Sequence, residues 1–355
     1  MFYREAGQFK TSYSKDQAVF PIRQDRISMG ALMLSAFVGI PIFANDYWLG
    51  SILLPFLILS LAAIGLNLLT GYAGQLSLGA AGFMAVGAFA AYNFIIRVPF
   101  LPFYISFILA GFVAALVGII FGLPSLRIKG FYLAVATLAA QFFIEWCLTH
   151  FGWFTNYSSS GVISTPPMSI FGHEITTPLG RYIVTLTIVV LLALAAKNMV
   201  RASIGRAWMA VRDMDIAAEV IGIPLLRTKL SAFAVSSFYC GVAGALWAFA
   251  FLGTAEPQAF DLNRSFQILF MVIIGGVGSI MGSFLGAGFI VLLPILLNNM
   301  ASLLGHGSLQ ADTIAHLEHI IFGGLIIFFL IVEPHGLARL WQITKEKLRL
   351  WPFPY

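Results

Sequence analysis

Charge is what this chain has least of. Only 10% of its 355 residues are charged while 59% are hydrophobic, a balance that soluble globular domains do not keep. Cysteine is nearly absent: Cys147 and Cys240 both stand inside apolar runs, which argues against a disulfide framework and for small buried hydrophobes. The first 26 residues hold no short apolar core, so a cleaved leader is not expected and the first apolar run reads as an uncleaved anchor. No G-x-x-x-x-G-K-S/T run occurs, so a phosphate-cradling loop is not expected here. The net charge of +5 does not gather beside stacking aromatics, which sets nucleic acid aside as a partner. There is no internal repeat and no second soluble domain.

What is present is apolar length. Runs near 20 residues match the thickness of a hydrocarbon core, and the fold class expected is an all-α polytopic membrane protein in the lipid bilayer. Ten spans are predicted, within a range of eight to ten, at 27–45, 49–69, 74–96, 101–122, 131–150, 181–199, 230–252, 264–280, 283–299 and 314–332. As one helix, 265–297 would run about 50 Å, so it must fold back near Gly278 to Gly282. The membrane domain is thus 27–333, between tails at 1–26 and 334–355. With both tails in the cytoplasm, 17 of the 20 Lys and Arg residues fall on the cytoplasmic side. Arg97, Arg181 and Arg264 face out. The largest outer segment, 151–180, is rich in Ser, Thr, Gly and Pro, and Pro166, Pro167 and Pro178 rule out one continuous helix.

The interruption that organises the chain is a polar island at 201–229, RASIGRAWMAVRDMDIAAEVIGIPLLRTK. Its eight charges would cost roughly 20 kcal/mol at mid-bilayer, so it lies outside the membrane. Helix formers run from Arg206 to Ile221. Arg212, Asp215 and Glu219 fall on one side of that helix, Met209, Ile216, Val220 and Ile223 on the other, and Gly222 and Pro224 end it. Two readings fit: a helix lying on headgroups, or one offered to a partner protein.

Polar groups inside the apolar runs are the other candidates. Between the second and third spans stand Asn67, Thr70, Tyr72, Gln75 and Ser77 among Gly71, Gly74, Gly79 and Gly82. Such a segment is either tightly packed in protein or a broken helix beside a watery route. Gly278, Gly282 and Gly286, spaced by four, suit close helix packing rather than a dinucleotide. Glu145, near the outer end of the fifth span, is an ionisable group in a membrane helix and hence a candidate for transport. Asp312, His316 and His319 share a helical face and could hold a metal, which keeps a membrane-embedded metal enzyme as an alternative. The interrupted helices keep an ion-coupled secondary transporter as another.

Four stretches together resemble the permease subunits of bacterial branched-chain amino acid ABC importers, of the LivM type: 65–79 (GLNLLTGYAGQLSLG), 123–139 (LPSLRIKGFYLAVATLA), 205–223 (GRAWMAVRDMDIAAEVIGI) and 269–286 (LFMVIIGGVGSIMGSFLG). The resemblance implies an ABC importer permease fold in the bacterial inner membrane, paired with a shorter sister permease. Two cytoplasmic ATPases would bind the ATP and Mg, no cofactor lying in this chain, and a periplasmic binding protein would deliver the solute. It further implies that the cytoplasmic loop at 200–229 docks on an ATPase through Arg206, Arg212, Asp213, Asp215, Ala217, Ala218, Glu219 and Gly222. The pathway candidates are Asn67, Thr70, Gly71, Gln75, Ser77 and Glu145. The solute implied is a branched-chain or other apolar amino acid, with urea, short amides or aromatic carboxylates as alternatives within the class. The chain departs from the family pattern twice. An outer T-G-G-x-x-G turn is replaced by Thr155, Asn156, Tyr157, Ser158, Ser159, Ser160 and Gly161, and an acid expected at Phe142 is found about one turn later, as Glu145.

Overall fold

In lipid a backbone can satisfy its hydrogen bonds only within a helix or a closed barrel, and the described long apolar runs are helices. The computed structural model describes residues 23–303 apart from 99, 124–129, 159 and 171–172, together with 11–12, 336–350 and scattered positions between 320 and 331. Among the described residues eight helices are long and apolar enough to cross a bilayer. They are α1 (Arg26–Phe43), α2 (Trp48–Tyr72), α3 (Ala80–Arg97), α4 (Phe103–Gly122), α5 (Phe131–His150), α6 (Pro178–Arg201), α9 (Leu225–Leu252) and α11 (Ile280–Leu303). The polar island forms α7 (Ser203–Asp213) and α8 (Asp215–Val220), the half-length α10 (Leu262–Gly275) precedes α11, and an amphipathic α12 (Gly336–Leu350) follows. The expected span at 314–332 lies largely outside the described residues.

Packing centres on α9, which is enclosed by α2, α3 and α4. Glycine makes the approach possible: a Cβ on Gly87 would overlap the Gly241 backbone, and one on Gly244 would overlap the Met84 carbonyl. Close backbone contact of this kind replaces the hydrophobic drive that lipid cannot supply.

Three boundaries differ from expectation. The third span begins at Ala80, not at 74, because α2 runs on through a π-helical turn at Leu68–Tyr72 and the chain then stays irregular to Gly79. The run at 264–280 is not a full crossing. Its helix, α10, has 14 residues, about 21 Å, against a core of about 30 Å. The fold-back falls at 276–279, where Gly276 and Gly278 take φ of 120° and 79°, a region closed to most side chains. The island is not one helix either. Met214 is extended, with φ −159° and ψ 100°, so the side predicted for Arg212, Asp215 and Glu219 is broken between the first and the other two.

In the segment expected on the outer side, the described residues form two small antiparallel pairs. One joins β1 (Ile163–Ser164) to β4 (Thr254–Ala255), tying the segment to the end of α9. The other joins β2 (Ser169–Ile170) to β3 (His173–Glu174).

Candidate functional site

The island is fastened to the membrane helices by several polar contacts. Trp208 is fully buried and donates its indole N–H to the Ser231 hydroxyl on α9 at 2.9 Å, which holds α7 against that helix. Arg206 donates to the Arg201 carbonyl at 2.9 Å, closing the corner from α6. Asp215, at the start of α8, faces Lys229 at 3.9 Å across the turn that re-enters α9. With α7 held by Trp208 and Asp215 drawn toward Lys229, the chain must turn at Met214. That is the physical reason the predicted single helix splits.

The split changes which side chains face out. Met209, grouped in the sequence with Ile216 and Val220, packs against the core. Met214, Ile216, Val220 and Ile221 instead project, with Ile216 and Val220 70% and 82% exposed. Ala218 is buried beneath them, Ala217, Glu219 and Gly222 are exposed, and Gly222 ends α8 at φ 89°. The apolar cap on α8 is therefore rimmed by charges of both signs, including Asp213, Glu219 and Arg227. Such a patch suits a protein surface; acids around it suit anionic headgroups poorly.

Arg212 joins this island to the interior. Its Nη1 donates to the carbonyl of Gly71 at 2.8 Å, while Nε and Nη2 bind Asp213 Oδ1 at 2.9 and 2.8 Å. Gly71 lies in the π-helical turn that ends α2, where ordinary i to i−4 bonding lapses and a carbonyl is left for an outside donor. One turn earlier Asn67 Nδ2 donates to the Ser279 carbonyl (2.8 Å) and Ser283 Oγ (2.9 Å), and its Oδ1 accepts from Gly278 N at 2.8 Å. A Cβ on Gly71 would overlap Asn67 Oδ1 and Gly278 N. The end of α2, the 276–279 turn and Arg212 thus form one contiguous junction.

Beside it opens a cavity of about 350 Å³, lined by Gly74, Gln75, Arg212, Asp213, Asp215 and Lys229 among others. Gln75 and Thr70 are the pathway candidates left with unused polarity. Among the described residues neither the Thr70 hydroxyl nor either end of the Gln75 amide has a hydrogen-bond partner, an expensive condition for buried groups. Asn67 is, by contrast, saturated within the chain, and Ser77 accepts from Gly79 N at 3.3 Å.

A set of polar residues that the sequence reading did not single out secures the start of α3. The first N–H groups of a helix have no internal partner, and here they begin deep in the protein. Leu78 N donates to Thr137 Oγ1 (2.9 Å), Ala81 N to Ser265 Oγ (2.9 Å) and Gly82 N to Gln141 Oε1 (2.6 Å). Gln141 Nε2 in turn donates to the Phe260 carbonyl at 2.7 Å. The available signal was an amide on an otherwise apolar helix one turn before Glu145. Glu145 itself is half-buried on α5; its carbonyl accepts from Thr149 Oγ1 at 3.0 Å, and its carboxylate makes no hydrogen bond or ion pair with a described residue. It does not join the Gly71 junction. Replacing Gln141 by Leu orphans Gly82 N–H and the Phe260 carbonyl, at about 1–3 kcal/mol each. The expected result is a lower thermal midpoint for the solubilised protein, with Gln141→Glu, which keeps the acceptor, falling in between.

The family described as branched-chain amino acid transport system / permease component matches residues 48–330. The chain belongs to that permease family. It is 30% identical over 312 residues to the high-affinity branched-chain amino acid transport system permease protein LivM of Salmonella typhimurium, covering 81% of this chain and 68% of that protein. The LivM protein of Escherichia coli gives the same figures. A probable LivM of Methanocaldococcus jannaschii is 25% identical over 324 residues, 81% of this chain and 92% of that protein. No solved structure matches.

As a member of this permease family the chain is a multi-pass membrane transport subunit. In the turn where the resemblance implies two glycines, Asn156 and Tyr157 adopt left-handed φ of 50° and 59°. The backbone keeps a conformation that glycine takes freely, at about 1–2 kcal/mol per non-glycine residue. Asp312, His316 and His319 lie outside the described residues, and among the described ones no three His, Cys, Asp or Glu side chains are placed to share a metal. Both thiols are free.

Proposed function

We propose that this permease is the membrane subunit of an ATP-driven importer of branched-chain or other apolar amino acids. It works in a heterodimer with a sister permease, driven by two cytoplasmic ATPases that bind ATP and Mg and fed by a periplasmic binding protein. On this reading both termini and 200–229 are cytoplasmic and 151–180 is periplasmic. The apolar cap of α8 and its charged rim, Arg206, Asp213 and Glu219 included, enter an ATPase groove. Arg212 passes the resulting movement to the end of α2.

The observation that carries the reading is the bond from Arg212 to the Gly71 carbonyl. A motor can shift an equilibrium only through contacts that differ between two states. This bond connects the exposed island to the interrupted helix beside Thr70 and Gln75, which have no partner among the described residues and are the best pathway candidates. The names of the relatives support the amino acid substrate. The half-length α10 and the interrupted end of α2 also fit an ion-coupled secondary transporter, so the test separates the two. Proteoliposomes holding both permeases and both ATPases, with binding protein outside and ATP inside, are expected to accumulate radiolabelled leucine, with urea and benzoate failing to compete. Uphill uptake by this chain alone under a proton or sodium gradient would overturn the proposal.

A further inference from the structure

We infer that the crevice between α3, α4 and α5 is a binding site for one phospholipid of the adjoining leaflet, with its phosphate on Arg97. The helices α4 and α5 barely touch, and between them and α3 lies a cavity of about 630 Å³. Its walls are apolar, with Val86 and Ala90 on α3, Val117 and Phe121 on α4, and Ile144 and Cys147 on α5. Polarity appears at one end only, at Asn93 and Arg97. The Asn93 amide is already used, donating to the carbonyls of Phe89 at 2.8 Å and Phe154 at 3.1 Å.

Arg97 is the group that points to a ligand. It is exposed, donates one bond to the Trp153 carbonyl at 2.8 Å, and lies over the Trp153 ring at 3.7 Å. It has no carboxylate partner among the described residues. A guanidinium carries five N–H donors, so most of its capacity faces the crevice mouth and the headgroup level, beside a tryptophan of the kind that marks membrane interfaces. Fork-shaped donors suit a phosphate diester.

Dimensions suit a lipid. From Val86 to Arg97 the rise along α3 is about 16 Å, close to half of a core about 30 Å thick. The 630 Å³ spread over that depth gives a cross-section of about 40 Å². Two alkyl chains at van der Waals spacing of about 4 Å need roughly 32 Å². The crevice therefore has room for the tails of one lipid, and apolar walls ending at one guanidinium match tails and phosphate in turn.

The test combines native mass spectrometry with a probe on the crevice wall. Purified wild type is expected to keep one phospholipid under detergent that strips the rest. Ala90→Trp and Val117→Trp, which fill the crevice, should cut that retention at least about tenfold, and Arg97→Gln should lower retention of phosphatidylglycerol about fivefold. In the assembled importer, a fluorophore on Cys147 should be quenched by phospholipid brominated along its chains; Cys240, fully buried, stays unlabelled. Equal retention in folded filling variants overturns the assignment. So does an unquenched label, or protection of Cys147 by the sister permease.

Discussion

Replacing Ile216 and Val220 together by aspartate is expected to release the ATPases and reduce uptake to background while the membrane helices stay folded. Both side chains project from α8 and contribute nothing to the core, so the variant should reach the membrane in normal amount. In a partner groove they are the buried anchors. Losing one anchor typically weakens an interface by about 2 kcal/mol or more, about 30-fold in affinity, and a carboxylate in an apolar pocket adds its desolvation cost. Co-purification of tagged permease with its ATPases measures the effect. Reversing Asp213 and Glu219 at the rim should do less, since exposed charges govern encounter more than hold. Full retention of the ATPases by the double aspartate variant would remove α8 as the docking element.

Much of this was legible in the residues. Eight of the ten predicted spans stand among the described residues, and they and the fold-back in the glycine run follow from apolar length and glycine. Facing was harder to read. An i, i+3, i+7 count assumes an unbroken helix, and nothing local announces that Met214 is extended, because the cause is the anchoring of Trp208 and Asp215 by Ser231 and Lys229 on α9. The same holds for Asn67. As a lone amide in an apolar run it looks like a pathway group, and only the fold brings 276–279 alongside to use its donors and acceptor. Gln141 passed unremarked because its partners, Gly82, Ser265 and Phe260, are 59 to 124 residues away. Thr70 and Gln75 keep their candidacy for the opposite reason, since the described residues supply them no partner.

The central claim is that movement of the island reaches the interior through Arg212. Substituting methionine keeps the aliphatic stem that packs along Gly74 and removes the donors to Gly71 and Asp213. A charge-assisted bond contributes about 1.5–3 kcal/mol, within the range of the coupling energies that link distant sites. The α8 surface is untouched, so the motor should still dock.

The decisive measurement is the ratio of leucine imported to ATP hydrolysed in proteoliposomes holding the complete importer with wild-type or Arg212→Met permease. The account requires ATP turnover within about twofold of wild type and uptake reduced at least about tenfold. An unchanged ratio would contradict it, because the island would then drive transport by a route that does not pass through Gly71.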